Sequence, residues 1–519
     1  MKTIKSILTL LVFMSALPFC RSQQISLEEM TVQQLQTAYK TGKMTIPQAT
    51  QWYLDRIKAI DQAGPELRSV LAVNPDAMQI AQELEKERKA GKSRGPLHGV
   101  PVLLKDNIDT HDKMPTTAGS RALQFSIAPE DSWVTAQLRA AGAIILGKAN
   151  LSEWANFRSS ASSSGWSGIV GQTKNPYVLT KNPCGSSAGS GVSVSANLCM
   201  IAIGTETNGS IVCPSNANGV VGIKPTVGLI SRRGIIPISE TQDTSGPMAR
   251  TVRDAAIALG ALTGIDPRDE RTAASQGKSY TDYTSFLDKN ALKGKKIGIF
   301  KQPLGRVPEV DALFWKAVES MKKQGATFVE IDQITAVKNV GAASYQVLLY
   351  EFKDGLNKYF KSLGPNSPIK SIDDLIEFNI QDSIEIKEYD QKLITMARAK
   401  GSLDSPEYKE ALQTMRDGIQ KRGIDSVMAV HQLDAIIAPT GSPAWDIDPK
   451  NGDTFRIGSS SPAAQAGYPN ITVPMGFVGE LPVGISFFGK AWSEPTLLGI
   501  AYSYEQLSKH RKAPRFIPN

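Results

Sequence analysis

Serine and glycine are concentrated in two short segments, "CGSSAGSG" at residues 184–191 and "ETNGSIVCPS" at residues 206–215. A serine hydroxyl becomes a nucleophile when a neighbouring base takes its proton, and glycine lets the backbone turn tightly around a reacting group. The two segments therefore predict covalent catalysis by serine. The base must lie elsewhere in the chain, because neither segment contains histidine or lysine.

Residues 185–189 match the G-x-S-x-G turn of α/β-hydrolases, with Ser187 at the centre. That turn needs a strand running directly into it, whereas Asn182 and Pro183 interrupt any strand here. It also needs a histidine base, and none of the four histidines lies in a catalytic pattern. They are His98, His111, His431 and His510. A histidine-dependent serine esterase is therefore a secondary hypothesis.

Other uses of glycine-rich segments find no support in the sequence. A phosphate-binding loop would end in G-K-[ST], and a dinucleotide fingerprint would place an acidic residue further on; neither pattern is present. No H-x-x-x-H, H-E-x-x-H or paired-cysteine spacing indicates a metal site. The sequence thus predicts no cofactor and no metal.

Lys105 is the candidate base. It directly follows "GVPVLL" (99–104), which predicts a buried strand, so we expect its amine to lie inside the protein. Burial and neighbouring hydrogen-bond donors lower the pKa of an amine, and a neutral lysine can accept the proton of a serine. Judged from its position alone, Lys105 can equally be an ordinary lysine at the end of a strand, without a catalytic role.

Four blocks resemble the amidase signature family, in order and with the usual gaps. They are "HGVPVLLKDNID" (98–109), "NPCGSSAGSGVSVSA" (182–196), "AIGTETNGSIVCPSNANGVVGIKPT" (202–226) and "DTSGPMARTVRD" (243–254). The resemblance runs from about residue 28 to the C-terminal "LPVGISFFG" region. The segment "SEWANFRSSASSSGWSGIVGQTKNPY" (152–177) is further similar to the bacterial peptide amidases of that family.

The resemblance implies a catalytic triad of two serines and one lysine, without histidine. Matched by motif, the nucleophile is Ser210, the relay is Ser186 in a cis peptide, and the base is Lys105. Ser186 would accept the proton of Ser210 while passing its own to Lys105. The triad leads to an acyl-enzyme that water then hydrolyses.

The turn before Ser210 is interpreted as an oxyanion hole, because converging backbone N–H groups stabilise a carbonyl oxygen that gains charge. These N–H groups belong to Thr207, Asn208, Gly209 and Ser210. The family pattern is G-T-D-x-G-G-S, often followed by isoleucine and arginine, whereas this chain has Glu206, Asn208 and Val212. We expect the triad to tolerate these departures. Asn208 is expected to shape the pocket, and Val212 disfavours substrates that need a charge partner there.

The predicted function is that of an exported amidase, which converts a carboxamide to an acid and ammonia or an amine. C-terminal peptide amides are one predicted substrate class, with Ser160 and Trp166 near the serine-rich loop 159–164 as predicted substrate-binding residues. A purely structural loop is the alternative. Two further hypotheses are a non-catalytic binding protein on the same fold and a transamidase subunit that works on aminoacyl-tRNA.

Strand and helix patterns alternate along the chain, which predicts one large α/β domain over residues 23–519. The expected architecture is a central mixed β-sheet covered on both faces by α-helices, and the family resemblance implies the same fold. Strands are predicted at 99–104, 142–147, 296–300, 326–331 and 433–439. Helices are predicted after the cap residues Thr31 and Thr45, over 133–141, around 310–321, across an N-terminal region of about 26–90, and across an insertion of about 340–430.

Residues 1–22 predict a signal peptide for export to the periplasm or medium. Lys2 and Lys5 precede the uncharged, mostly apolar run 7–19, which is shorter than the roughly 18 residues of a membrane-spanning helix. Cleavage after Ser22 satisfies the small-residue rule. A lipid-modified Cys20 is the alternative, which the bulky Phe19 disfavours.

Charge and cysteine content limit the partners. Removal of residues 1–22 lowers the net charge from +8 to +5, and no run of five or six basic residues predicts binding to nucleic acid or lipid. Besides Cys20, the cysteines are Cys184, Cys199 and Cys213. At most one disulfide can form among these three, and buried free thiols are the favoured interpretation.

Overall fold

A mixed sheet of eleven strands forms the centre of the protein. The computed structural model describes residues 26–365 and 367–518, so the predicted signal peptide lies outside the described residues. The described residues contain thirteen strands, eleven of them in this sheet. They are β1 (Val70–Val73), β2 (Pro101–Lys105), β3 (Ile144–Ala149), β4 (Trp166–Ser167), β5 (Gly171–Gln172), β6 (Ile201–Glu206), β7 (Val221–Lys224), β8 (Thr244–Ala249), β9 (Lys296–Phe300), β10 (Thr327–Ile331), β11 (Ala435–Pro439), β12 (Asn470–Val478) and β13 (Leu481–Phe488).

The strand order in this sheet is β1-β3-β2-β6-β8-β7-β12-β13-β11-β9-β10, while β4 and β5 form a separate hairpin pair. Four neighbouring pairs are parallel: β3 with β2, β2 with β6, β11 with β9, and β9 with β10. The other pairs are antiparallel. The predicted α/β domain with a central mixed sheet flanked by helices is confirmed.

Sixteen α-helices are found among the described residues. They are α1 (Val32–Lys40), α2 (Ile46–Arg56), α3 (Ala77–Lys89), α4 (Trp133–Ala140), α5 (Ala188–Ser195), α6 (Val212–Ala217), α7 (Val252–Leu262), α8 (Pro308–Lys323), α9 (Val340–Ser362), α10 (Ile372–Gln381), α11 (Glu385–Glu388), α12 (Lys392–Arg398), α13 (Pro406–Arg416), α14 (Asp425–Val430), α15 (Ser461–Ala466) and α16 (Glu494–Ser508). Thr31 forms the predicted capping box of α1, and Thr45, the predicted start of the next helix, forms a capping box at α2 as well. No helix in the described part of the chain is long and apolar enough to cross a bilayer.

The predicted strands occur with small shifts at their ends. The strand expected at 99–104 begins at Pro101 and ends at Lys105. Gly99 belongs to a turn with φ of +76°, where a Cβ atom would meet the side chain of Ile46 at 2.7 Å. The shift matters for chemistry, because it makes Lys105 the last residue of a fully buried strand.

Strands β2 and β6 lie side by side and run parallel, with Leu104 opposite Ile203. Their carboxyl ends therefore meet at one edge of the sheet, the position at which parallel sheets usually bind ligands. Helix α5 precedes β6 and is buried along its whole length. The chain segments that adjoin these elements carry both serine-rich motifs.

The helices between β10 and β11 cover one end of this region. The predicted helical insertion 340–430 contains α9 to α14. Leu349, Phe352 and Phe360 of α9 form an apolar cluster with Trp154 and Ile236, which belong to segments around the sheet. The helical segment is thereby packed onto the same domain and contributes a wall to the region beside β2 and β6.

Close packing at Gly189 in α5 provides a test of this arrangement. A Cβ atom there would meet the Ser69 carbonyl at 2.3 Å and the Asn150 backbone at 2.5 Å. Backbone atoms cannot rotate away, so Gly189→Ala should lower the free energy of unfolding by about 1–3 kcal/mol. Urea unfolding followed by circular dichroism measures the change.

The matched control is Gly341→Ala in α9, where a Cβ atom meets nothing within 4 Å. We expect this variant to be as stable as the wild type or slightly more stable, because alanine favours the helical backbone more than glycine does. Equal stability of the two variants would contradict the packing described for α5.

Candidate active site

The Lys105 side chain is completely buried at the end of β2. Its Nζ lies 2.7 Å from the Ser186 hydroxyl, 2.8 Å from the Thr205 hydroxyl and 3.3 Å from the Thr205 carbonyl. Burial lowers the pKa of Lys105 to about 7, although the negative charges of Asp243 and Glu206 oppose this effect. A large fraction of the amine is therefore neutral near pH 7.

Two other buried lysines allow a comparison. Lys148 lies in β3 and donates to the Ile108 carbonyl, and Lys224 ends β7 and donates to the Tyr468 carbonyl. Burial lowers the pKa of both amines. Of the three lysines, Lys105 is the one whose amine contacts a serine of the two serine-rich segments, so it alone is placed to act on these hydroxyls.

Thr205 holds the amine in position, a role that the sequence analysis did not predict. The Asn107 side chain donates to the Thr205 hydroxyl at 3.0 Å. The Ser187 hydroxyl donates to the Thr205 carbonyl at 3.0 Å and accepts from its N–H at 3.2 Å. Asn107 and Thr205 lie close to the ends of neighbouring strands. Their contact can be predicted only once the order of the strands in the sheet is known.

Ser186 stands at a tightly packed bend before α5. The Gly185–Ser186 peptide bond is cis, as the resemblance implied. The Ser152 N–H donates to the Ser186 carbonyl at 3.0 Å. A Cβ atom at position 185 would meet the Ser152 hydroxyl at 2.2 Å, so only glycine fits there. The bend directs the Ser186 hydroxyl to the Lys105 amine.

Ser187, the central residue of the G-x-S-x-G match, has a structural role. Its hydroxyl is buried and bonded to the Thr205 backbone. Within the described residues, no histidine forms a hydrogen bond with Ser187, which removes the support for the hydrolase turn. The ring of His98 bonds to the Leu84 carbonyl and that of His111 to the Ala128 carbonyl, while His431 is half-buried and His510 is exposed.

The turn at residues 207–211 is fixed by the carboxylate of Glu206. One oxygen of this buried carboxylate accepts from the Ile211 N–H at 2.8 Å and from the Val212 N–H at 3.0 Å. Gly209 has φ of +92°, a conformation that glycine adopts readily. Across the described residues, the N–H groups of 207–210 have no backbone or side-chain acceptor. Four donors are thus presented together in one turn.

Ser210 is half-buried at the end of this turn. Its carbonyl accepts from the Ser187 N–H at 3.1 Å, which brings the two serine-rich segments into contact. The hydrogen bonds of the described residues do not include one between the Ser186 and Ser210 hydroxyls. Lys105 is therefore joined to Ser186 directly, whereas Ser210 is joined to the Ser186–Ser187 segment through its backbone.

The expectation of buried free thiols is wrong for two of the three cysteines. Cys184 and Cys213 form a disulfide with a Cα–Cα distance of 5.9 Å, and only Cys199 among the described cysteines is a free, buried thiol. The sequence spacing did not indicate this pairing. It arises because the bend before Ser186 and the turn after Ser210 bring the two cysteines together.

A cavity of about 500 Å³ lies beside these groups. Its wall includes Asn107, Thr205 and Thr207 from the site, the isoleucines of segment 235–238, and residues of α9. Asp243 also lines it and accepts from the Thr207 hydroxyl at 2.6 Å. Burial raises the pKa of Asp243 to about 6. The cavity combines an apolar wall with polar and charged groups. Lys105, Ser186 and Ser210 do not line it, and Thr205 is the lining residue that contacts the Lys105 amine.

The predicted substrate-binding residues lie in a neighbouring segment and do not line this cavity. Ser160 is exposed, and Trp166 packs edge-on against Tyr389 with the Arg158 guanidinium over its ring. Asn208, expected to shape the pocket, is exposed and accepts from the Ser460 hydroxyl at 2.7 Å. The role of Ser160 and Trp166 stays a prediction.

Comparisons with known proteins agree on one family. The sequence profile of the Amidase family matches residues 48–498. A probable amidase of Arabidopsis thaliana is 41% identical, over 96% of this chain and 93% of the relative. The crystal structure of native peptide amidase from Stenotrophomonas maltophilia is 48% identical with a TM-score of 0.91, over 94% of this chain and 99% of that chain. A glutamyl-tRNA(Gln) amidotransferase subunit of Thermosynechococcus vestitus is 34% identical, over 93% of this chain and 99% of the relative.

Proposed function

This chain belongs to the amidase signature family. We propose that it is an exported amidase acting on C-terminal peptide amides. The reaction takes R–CO–NH₂ and water to R–COOH and ammonia. Lys105 is the base, Ser186 the relay and Ser210 the nucleophile. The observation that carries this proposal is the contact between the buried Lys105 amine and the Ser186 hydroxyl at 2.7 Å.

The partners of the amine support a neutral base. An ammonium group has three donors and no acceptor, whereas a neutral amine has two donors and one lone pair. The Thr205 carbonyl and hydroxyl can take the two N–H groups of Lys105. In the neutral form of the amine, the lone pair can accept the proton of the Ser186 hydroxyl, which lies 2.7 Å from Nζ. This arrangement is the one that a general base needs before proton transfer.

The relay then extends from Ser186 to Ser210. As Ser210 attacks the amide carbonyl, its proton passes to the Ser186 oxygen, and the Ser186 proton passes to Lys105. The step requires the two hydroxyls to approach within about 2.6–3.2 Å, and such contacts often tighten only when substrate is bound. The Ser187 N–H bond to the Ser210 carbonyl supports this approach, because it holds the two segments together.

The unpartnered N–H groups of the described turn 207–210 support the oxyanion hole. The carbonyl oxygen of the substrate gains negative charge when Ser210 attacks, and preorganised donors stabilise that charge most strongly away from water. Glu206 fixes the turn by binding the next two N–H groups, so the donors are aligned before substrate arrives. The leaving amine is protonated through Ser186, and water hydrolyses the acyl-enzyme by the reverse relay.

The cavity and the comparisons favour a peptide substrate. The apolar wall at residues 235–238 suits the side chain of an amidated amino acid, and the cavity volume is of the size that holds a small organic ligand. The 48% identity with a peptide amidase supports the same substrate class. The similarity to an amidotransferase subunit keeps that activity as the competing proposal, although the mature chain lacks a basic run for tRNA.

Export is proposed on two grounds. Residues 1–22 have the charge and apolar pattern of a signal peptide. The Cys184–Cys213 disulfide adds independent support, because disulfides form and persist mainly in oxidising compartments.

We expect the chain alone to release ammonia from C-terminally amidated dipeptides, and Ser210→Ala to abolish this activity while the fold stays intact. A fluorophosphonate probe should label Ser210, as located by mass spectrometry of the digested protein. Ammonia is measured with a coupled assay on peptide amides, on simple aliphatic and aromatic amides, and on free glutamine.

Ser187→Ala is the control for the labelled position, since the probe should still modify Ser210 in that variant. Labelling of Ser187 in the wild type would revive the histidine-dependent hydrolase. A chain that binds peptide amides but releases no ammonia and takes no label would establish the non-catalytic alternative.

The pH dependence of kcat/KM should report Lys105. Since the amine is active only when neutral, kcat/KM should fall about tenfold per pH unit below a midpoint near pH 7 and level off above it. Removal of a negative charge near the amine lowers its pKa, so Asp243→Asn should move the midpoint to lower pH. A midpoint near that of an ordinary lysine, which has a pKa of about 10.4, would rule out Lys105 as the neutral base described above.

The export proposal predicts a mature chain that begins at Gln23. Expression of the full chain in a bacterial host, followed by fractionation and intact-mass measurement, tests this start. Cys20→Ala should change neither the mass of the mature chain nor its soluble location. A lipid-modified Cys20 in the membrane fraction would show the lipoprotein alternative to be right.

A further inference from the structure

A disulfide joins the two segments that carry the proposed relay. Cys184 stands two residues before Ser186, and Cys213 stands three residues after Ser210. Both cysteines are buried, and they pack with Trp445 in a small apolar cluster. The covalent link therefore runs from the start of one serine segment to the helix that follows the other.

Few hydrogen bonds of the described residues join these two segments to each other. The Ser187 N–H donates to the Ser210 carbonyl at 3.1 Å. Just outside the two segments, the Asn218 side chain donates to the Pro183 carbonyl at 2.9 Å. The Ser186 carbonyl is instead bonded to Ser152, which belongs to a different segment. The disulfide therefore adds a covalent constraint on the two segments to the hydrogen bonds that Ser187 makes with the Thr205 backbone and the Ser210 carbonyl.

Hydrogen bonds fix the backbone of both cysteines. The Cys213 N–H donates to the Gly209 carbonyl at 2.8 Å, and the Cys184 N–H donates to the Asn182 side chain at 2.8 Å. Gly209 belongs to the turn that presents the oxyanion donors. A displacement of Cys213 would therefore reach this turn as well as Ser210.

We propose that the Cys184–Cys213 disulfide is a positioning element of the relay, which holds the Ser186 and Ser210 hydroxyls at the separation that proton transfer needs. This inference rests on the proposed function. A displacement of about 1 Å in an active site can lower the rate about 100-fold. Loss of the disulfide should accordingly lower kcat by about 10- to 100-fold, with KM changed by less than about threefold, because the cavity that binds substrate is lined by other residues.

The first test compares Cys184→Ala/Cys213→Ala with the wild type and with Cys199→Ala. Cys199 is a buried free thiol, so its variant controls for removal of a buried sulfur. For each protein we would measure kcat and KM on an amidated dipeptide, the rate of fluorophosphonate labelling at Ser210, and urea unfolding. The double variant should lose kcat and labelling rate while it remains folded under assay conditions, and Cys199→Ala should retain both.

A second test uses the wild-type sequence in case the double variant does not fold. The mature protein is reduced with dithiothreitol in urea below its unfolding midpoint, until alkylation of a sample modifies Cys184, Cys199 and Cys213. The dithiol is thereby oxidised to its cyclic disulfide, and the protein gains two thiols. After removal of urea and reductant, kcat should be low. Glutathione disulfide, which is reduced to two thiols as the protein disulfide forms again, should restore it.

The outcomes separate this inference from the proposed function. Unchanged kcat in the double variant or in the reduced protein overturns the inference. So does a loss of kcat that parallels the loss of folded signal, because that result indicates a purely stabilising disulfide. A wild type without amidase activity and without label at Ser210 overturns the proposed function itself.

Discussion

The site depends on an amine whose charged form is disfavoured by its complete burial inside the protein. Removal of a charged amine from water is costly, and proteins meet this cost either by pairing the charge or by releasing the proton. Among the described residues, no carboxylate lies within ion-pair distance of Lys105. Asp243 and Glu206 act only at longer range and hold the pKa near 7 against a stronger effect of burial.

The sheet explains how the amine comes to lie beside its partners. Lys105 and Thr205 lie at the ends of neighbouring parallel strands, so their side chains meet at one edge without any contact close in sequence. Ser187 is bonded to the Thr205 backbone, which brings the bend with Ser186 to the same edge. The turn with Ser210 follows β6 directly. The functional positions thus depend on the pairing of two strands and on the helix that precedes the second.

The sequence predicted the elements better than the contacts between them. The burial of Lys105 followed from the apolar run before it, and this prediction is confirmed. Thr205 and Asn107 were missed, because a polar residue near a strand end has no signature until the order of strands is known. The disulfide was missed for a similar reason, since Cys184 and Cys213 approach only through the bend at Ser186 and the turn at Ser210. The isoleucines of the cavity wall were missed because they have the pattern of core residues.

The helical segment contacts the region of the proposed relay and the cavity through different residues. Glu385 at the start of α11 binds the Arg158 guanidinium, which also binds Glu153 at 2.5 Å. Burial, together with the nearby charge of Glu385, raises the pKa of Glu153 well above its usual range. Glu153 directly follows Ser152, whose N–H holds the Ser186 carbonyl.

This buried cluster ties the helices to the scaffold of the relay. Helix α9, in contrast, supplies a cavity wall, and its residues form no hydrogen bond with Lys105 or Ser186 in the described part of the chain. Substitutions in that wall can therefore change the shape of the cavity without moving Lys105 and Ser186 of the proposed relay. The constraint on the amine and the freedom of the pocket thus lie in different elements of one domain.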